Sequence, residues 1–177
     1  ELELGLIQHK RVFTPDDVRR ILGPLKAKSE PMSCPGSASF LYIDYNGMVR
    51  KGTVQATITP FSMIPGDVKI LNASGPQGDH VKIAIEAVKN NHELDISTAS
   101  VTIAFREPVM SFHRNVVGLP TYLAVLSAMK QENINQRAIC LGAGVDIFGS
   151  CFIDSEEPLT SVIKKASDLG TSILLGP

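Results

Sequence analysis

The side chains able to do chemistry in this 177-residue chain are few and scattered. His9, His80, His92 and His113 share no helical face at ligand spacing, which speaks against a metal site. His113 stands beside Arg114 in a stretch read as loop, where binding side chains often sit, although solvated loops also carry such residues for solubility. Asp154-Ser155-Glu156-Glu157 resembles a paired-carboxylate site, but acids directly before a helix are what caps and the helix dipole favour, and the cap reading wins. Gly142-Ala143-Gly144 follows a strand and leads into more strand, so no helix N-terminus would face a phosphate. Lys164 or Lys165 could act as a general base only if burial removed its charge near neutrality, and both fall off the apolar stripe of Val162, Ile163 and Ala166. Cys34, Cys140 and Cys151 lack zinc-ligand spacing and read as buried small side chains that form no disulfide. Walker-type, GxGxxG, GxSxG and HExxH motifs are absent, and no cofactor or metal is expected in this domain.

Such side chains need elements to position them, and the chain is long enough for one domain with a full core. Its 17 basic and 18 acidic residues are spread along the whole sequence, so nucleic acid is not indicated by charge. No apolar run reaches the roughly 20 residues that span a bilayer, and no signal segment opens the chain. A cytoplasmic or other reducing compartment is therefore expected, and the abrupt ends suggest a domain cut from a longer protein.

Residues 1–25 read as a lead-in with one short helix over 14–23, started by Thr14 and Pro15 and stopped by Gly23, and 26–39 as a connector. The core spans 40–177. It opens with three β-prone runs, 40–44, 54–58 and 68–71, expected as an antiparallel meander. A helix capped by Asp79 carries Val81, Ala84, Ile85 and Val88 at helical spacing. A strand over 101–105, a loop over 106–115 and a helical stripe from Leu119 to Met129 follow. Then come a strand at 138–141, two short strands meeting near Gly149, a helix from about Pro158 to Gly170 and a strand over 173–175. The layout is α+β, a mixed sheet with helices packed on it.

Read in order, these pieces resemble the proteolytic domain of the Lon protease family over nearly the whole chain. The helix ending in Leu22-Gly23 is similar to the one that precedes that domain. Gly66-Asp67-Val68-Lys69-Ile70, the turn Gly75 to Gly78 and the helix after it resemble the family's strand, turn and first long helix. Val101 to Phe105 resembles the strand before the nucleophile loop, Leu126 to Met129 the end of the following helix, and 159–177 the lysine-bearing helix and final strand.

The resemblance implies a ribosomal protein S5 domain 2-like fold, a hexameric ring, an AAA+ ATPase module in cis or trans and a polypeptide substrate or partner. It also implies a serine at the start of one helix, activated by a buried neutral lysine on the next. The gapless spacing from Phe105 to Ser127 puts Val116 on the serine, and counting back from Gly170 puts Thr160 on the lysine. A valine cannot attack a carbonyl and a threonine cannot serve as the amine base. The resemblance thus points to a pseudoprotease kept for assembly or partner binding, with Val116 and Thr160 expected across a vestigial site. The alternative is an active, ATP-dependent endopeptidase with Thr121 as displaced nucleophile and Lys164 or Lys165 as base.

Overall fold

The structure, a computed structural model, describes residues 3–4, 11–12, 34–44, 46–92, 97–109, 115–135, 138–153, 159–171 and 173–176. The helix expected over 14–23, the pair His113 and Arg114, and the acids of 154–157 lie outside the described residues.

Two strands open the chain, β1 (Glu3–Leu4) and β2 (Arg11–Val12). Both are built into sheets: β1 pairs in parallel with the last strand, Ile173–Leu175, and β2 pairs antiparallel with the strand Ser150–Phe152. The region expected to be only a lead-in therefore closes both sheets. β3 (Ser37–Ile43) and β4 (Val49–Thr59) form an antiparallel hairpin, so residues 37–39 belong to a strand and not to the expected connector. Its turn is held by Asp44, whose Oδ1 accepts the N–H groups of Asn46 and Met48 while Oδ2 accepts from Arg50.

The third strand departs from the expected meander. β5 (Val68–Ala73) pairs not with β4 but in parallel with β6 (Ser100–Val109), and β6 pairs antiparallel with β4. Residues 106–109, expected as loop, extend β6. The helix between them, α1 (Pro76–His92), starts three residues before Asp79 because Pro76 can occupy a first-turn position that needs no N–H donor. After α2 (Gly118–Lys130) come β7 (Ala138–Leu141), β8 (Gly144–Val145), β9 (Ser150–Phe152), α3 (Leu159–Asp168) and β10 (Ile173–Leu175). The seven-stranded sheet runs β1-β10-β7-β3-β4-β6-β5, and the smaller sheet β2-β9-β8. The chain is α+β with a mixed sheet.

Strand alternation divides the core in two. Ala38, Phe40, Val54, Ala56, Ala138 and Cys140 pack toward α1 and α2. Their neighbours Leu41, Ile139 and Leu141 pack toward Val162 and Ala166 of α3. α1 and α2 thus cover one face and α3 part of the other. α2 touches β3, β4, β7, β8 and α1, so every residue from Gly118 to Ala128 is buried, as a helix apolar all round requires. Its C-terminus is tied to the sheet by Ser127, whose Oγ accepts the Gly36 N–H at 2.9 Å and donates to the Glu132 carbonyl. Gly36 has φ +87°, and an added Cβ would stand 2.2 Å from the Ala56 carbonyl oxygen, so only glycine fits this tie. Among the described residues no helix is long and apolar enough to cross a membrane.

Candidate functional site

The start of α2 decides whether a family-type nucleophile could work. Asn115, 2% exposed, turns its Oδ1 onto the Gly118 N–H at 3.0 Å and satisfies one of the amides that a helix start leaves free. Leu119 donates to the Ala143 carbonyl at 2.9 Å, Pro120 has no N–H, and Thr121 donates to the Val117 carbonyl at 3.0 Å. A side chain on Gly118 would put its Cβ 2.7 Å from the Val145 backbone nitrogen, so the helix start is pressed against the Gly142–Val145 segment. The amides of 118, 119 and 121 are therefore used within the chain. An oxyanion hole needs donors aimed at open space, and positions 118–121 present none.

Val116, on the serine position, is buried beside Gly142; a Cβ built there would lie 3.1 Å from that of Val116. Thr160, on the lysine position, is exposed in the first turn of α3. That helix packs through Val162 and Ala166 on Leu41, Ile139 and Leu141, on the face of the sheet opposite α1 and α2. Val116 and Thr160, expected across one vestigial site, stand on opposite faces of the sheet, one in the core and one in solvent, and do not face each other. Neither brings a nucleophile or a base.

The displaced pair is not assembled. Thr121 is fully buried, and its Oγ1 has no hydrogen-bond partner. Lys164 and Lys165 are exposed on α3, with the sheet between their helix and that of Thr121. The two buried thiols, Cys140 and Cys151, are also unsuited to nucleophilic work. Burial pushes Cys140 up, its Sγ donating to the Ser39 carbonyl at 3.2 Å, and pushes Cys151 up to about 12, with Asp146 adding to the rise. Cys34 is exposed, contrary to the buried role expected of it, because it precedes the sheet in a turn.

One polar cluster was not anticipated from sequence. At the end of α1, His92 Nε2 lies 2.7 Å from the Tyr122 hydroxyl of α2, and Asn90 donates to the Ile147 carbonyl in the β8–β9 turn at 3.1 Å. Burial lowers the His92 pKa below its ordinary 6.5, with Lys130 contributing, and burial raises that of Tyr122. The cluster joins both helices to the small sheet. A histidine at a helix end was the only signal, and its partner is 30 positions away. Among the described residues no group of three or more His, Cys, Asp or Glu side chains could hold a metal ion.

Compared with known proteins, the chain matches no protein-family model and no curated protein.

Proposed function

We propose that this chain is a Lon-like proteolytic domain without peptidase chemistry, serving oligomeric assembly or partner binding beside an AAA+ ATPase module. The observation that carries the reading is the start of α2, where the nucleophile position is the buried Val116 and the amides of 118, 119 and 121 are engaged. The order of strands and helices supports the Lon-like comparison, while the opposite faces of the sheet that Val116 and Thr160 occupy weigh against it. An assembly role is supported by apolar side chains in solvent: Phe61, Met63 and Ile64 between β4 and β5, and Ile147 and Phe148 between β8 and β9. An unpartnered Thr121 hydroxyl favours the alternative of a displaced endopeptidase, while its burial and the distant, exposed lysines weigh against it.

The deciding experiment is incubation of the chain, alone and with its ATPase module, with an unfolded casein substrate and a fluorophosphonate probe. Wild type, Val116→Ser and Thr160→Lys should all leave casein uncut and the probe unbound, because members of a catalytic unit act together. Cleavage by wild type that disappears in Thr121→Ala would overturn the pseudoprotease reading. Native mass spectrometry tests assembly: a ring is expected for wild type, and Phe61→Ser with Met63→Ser should shift it toward smaller species.

A further inference from the structure

The two faces of the seven-stranded sheet are unequally covered. α3 packs on Leu41, Ile139 and Leu141 and reaches Val49 at the start of β4, leaving the outer side of the rest of β4 and of β6 and β5 open. Strand alternation sets what stands there: Val54, Ala56, Ile103 and Phe105 face the helices, so odd-numbered β4 residues and even-numbered β6 residues face outward. In β5, Val68 and Ile70 pack inward and Lys69 and Leu71 outward.

Three of the outward side chains are cations, Lys51, Lys69 and Arg106, and all are exposed. Among the described residues none of the three is in an ion pair. The register fixes their arrangement. Lys69 pairs with Thr102 of β6, four residues before Arg106, and Val54 pairs with Phe105, which brings Arg106 beside Thr53, two residues from Lys51. With a rise of about 3.3 Å per residue and strands about 4.8 Å apart, Lys69 and Arg106 stand about 14 Å apart, and Arg106 and Lys51 about 8 Å. Each step moves one strand across and in the same direction along, so the cations form a diagonal stripe about 22 Å long. Thr53, Gln55, Thr57 and Thr102 lie along it and offer hydroxyl and amide groups. The outward positions of these strands hold no acid; the exposed Glu107 follows Arg106 on the opposite register of β6, and Asp67 precedes β5 at the Lys69 end.

We propose that this stripe binds the phosphodiester backbone of double-stranded nucleic acid without reading its sequence. Cations in line, interleaved with hydrogen-bonding side chains, suit a row of phosphates, and about 22 Å corresponds to about six steps of 3.4 Å along a duplex. A protein partner would call for an apolar centre, and between Lys69 and Lys51 the outward apolar residues are Leu71 and Ala104, with the positions of Val49 and Pro108 at the edge of the stripe. A single strand would call for aromatic stacking platforms, and the outward positions carry none. The even spread of charge along the sequence conceals the stripe, because its members come from three strands that only the sheet brings together.

The test is fluorescence anisotropy of a labelled duplex DNA of about 20 base pairs, titrated with the full chain from about 50 mM salt upward. Saturable binding is expected, with a log–log salt slope of about −2.7 for three neutralised phosphates. Lys69→Glu with Arg106→Glu should weaken it at least about 10-fold, while Lys82→Glu with Lys130→Glu, the same change in net charge on the helices, should leave it within about 3-fold. Should the reversed pair fail to fold by circular dichroism, Lys51→Gln, Lys69→Gln and Arg106→Gln decide, each weakening binding about 2- to 5-fold. No saturable binding by wild type, equal weakening by both reversed pairs, or no weakening in the single variants would overturn the proposal. So would equally tight binding of labelled polyglutamate, which would assign the stripe to an acidic polypeptide.

Discussion

α2 and α3, the helices to which the proposed Lon-like reading assigns its two dyad positions, are built in opposite ways. α2 is enclosed by the sheet, α1 and the small β8–β9 hairpin, so it presents no free face and its first amides are answered by Asn115 and Ala143. α3 rests on the other side of the sheet through Val162 and Ala166 and leaves Thr160, Lys164 and Lys165 in water. Chemistry between such helices would require a reactive group that reaches solvent on α2 and one held out of it on α3. The chain has the reverse: a sealed hydroxyl at Thr121 and hydrated amines at Lys164 and Lys165.

If α2 is the centre of the core and α3 an attachment, truncation should cost unequally. Leu126→Ala should destabilise the chain by about 2–5 kcal/mol in urea unfolding, as expected where the surroundings cannot collapse into the gap. An equal loss on α3 would break the contrast. Ser127→Ala comes next: it removes the acceptor of the Gly36 N–H, at a cost of about 1–3 kcal/mol. On α3, Val162→Ala removes two methyl groups from a one-sided contact and should cost about 1–2 kcal/mol.

The His92–Tyr122 contact sharpens the same comparison through pH. Because burial lowers the folded-state pKa of His92, the unfolded chain binds the extra proton more readily. The contribution to stability is thus complete above 6.5, declines as pH falls from 6.5 toward the lowered value, and levels off below it. Thermal melts should show this decline in wild type and a flatter profile in His92→Gln; a stability that rises on acidification would refute it. The smallest effect belongs to the open half of the sheet, where Gln55→Ala should change stability by no more than about 0.5 kcal/mol.

Much of the secondary structure was legible because it rests on local pattern. The hairpin of β3 and β4 followed from alternation and the Asn46-Gly47 turn, and α3 from a stripe ending at Gly170. Where pattern was ambiguous the reading slipped. β5 looked like the third strand of a meander because nothing in its residues distinguishes a parallel from an antiparallel neighbour, and it pairs with β6 across the whole of α1. Leu119 to Met129 read as a one-sided stripe, whereas the polar members Thr121 and Ser127 are also buried.

By itself the sequence determined the α+β class and the places where most helices and strands form, since each depends on residue identity and near-neighbour spacing. Tertiary structure alone decided that Thr121 is sealed, that Asn115 closes the start of α2, that His92 meets Tyr122 and that Lys51, Lys69 and Arg106 fall in line. These depend on which strands become neighbours and which face a helix covers, and that is set by burying the apolar surface of the whole chain at once, not by any segment of it.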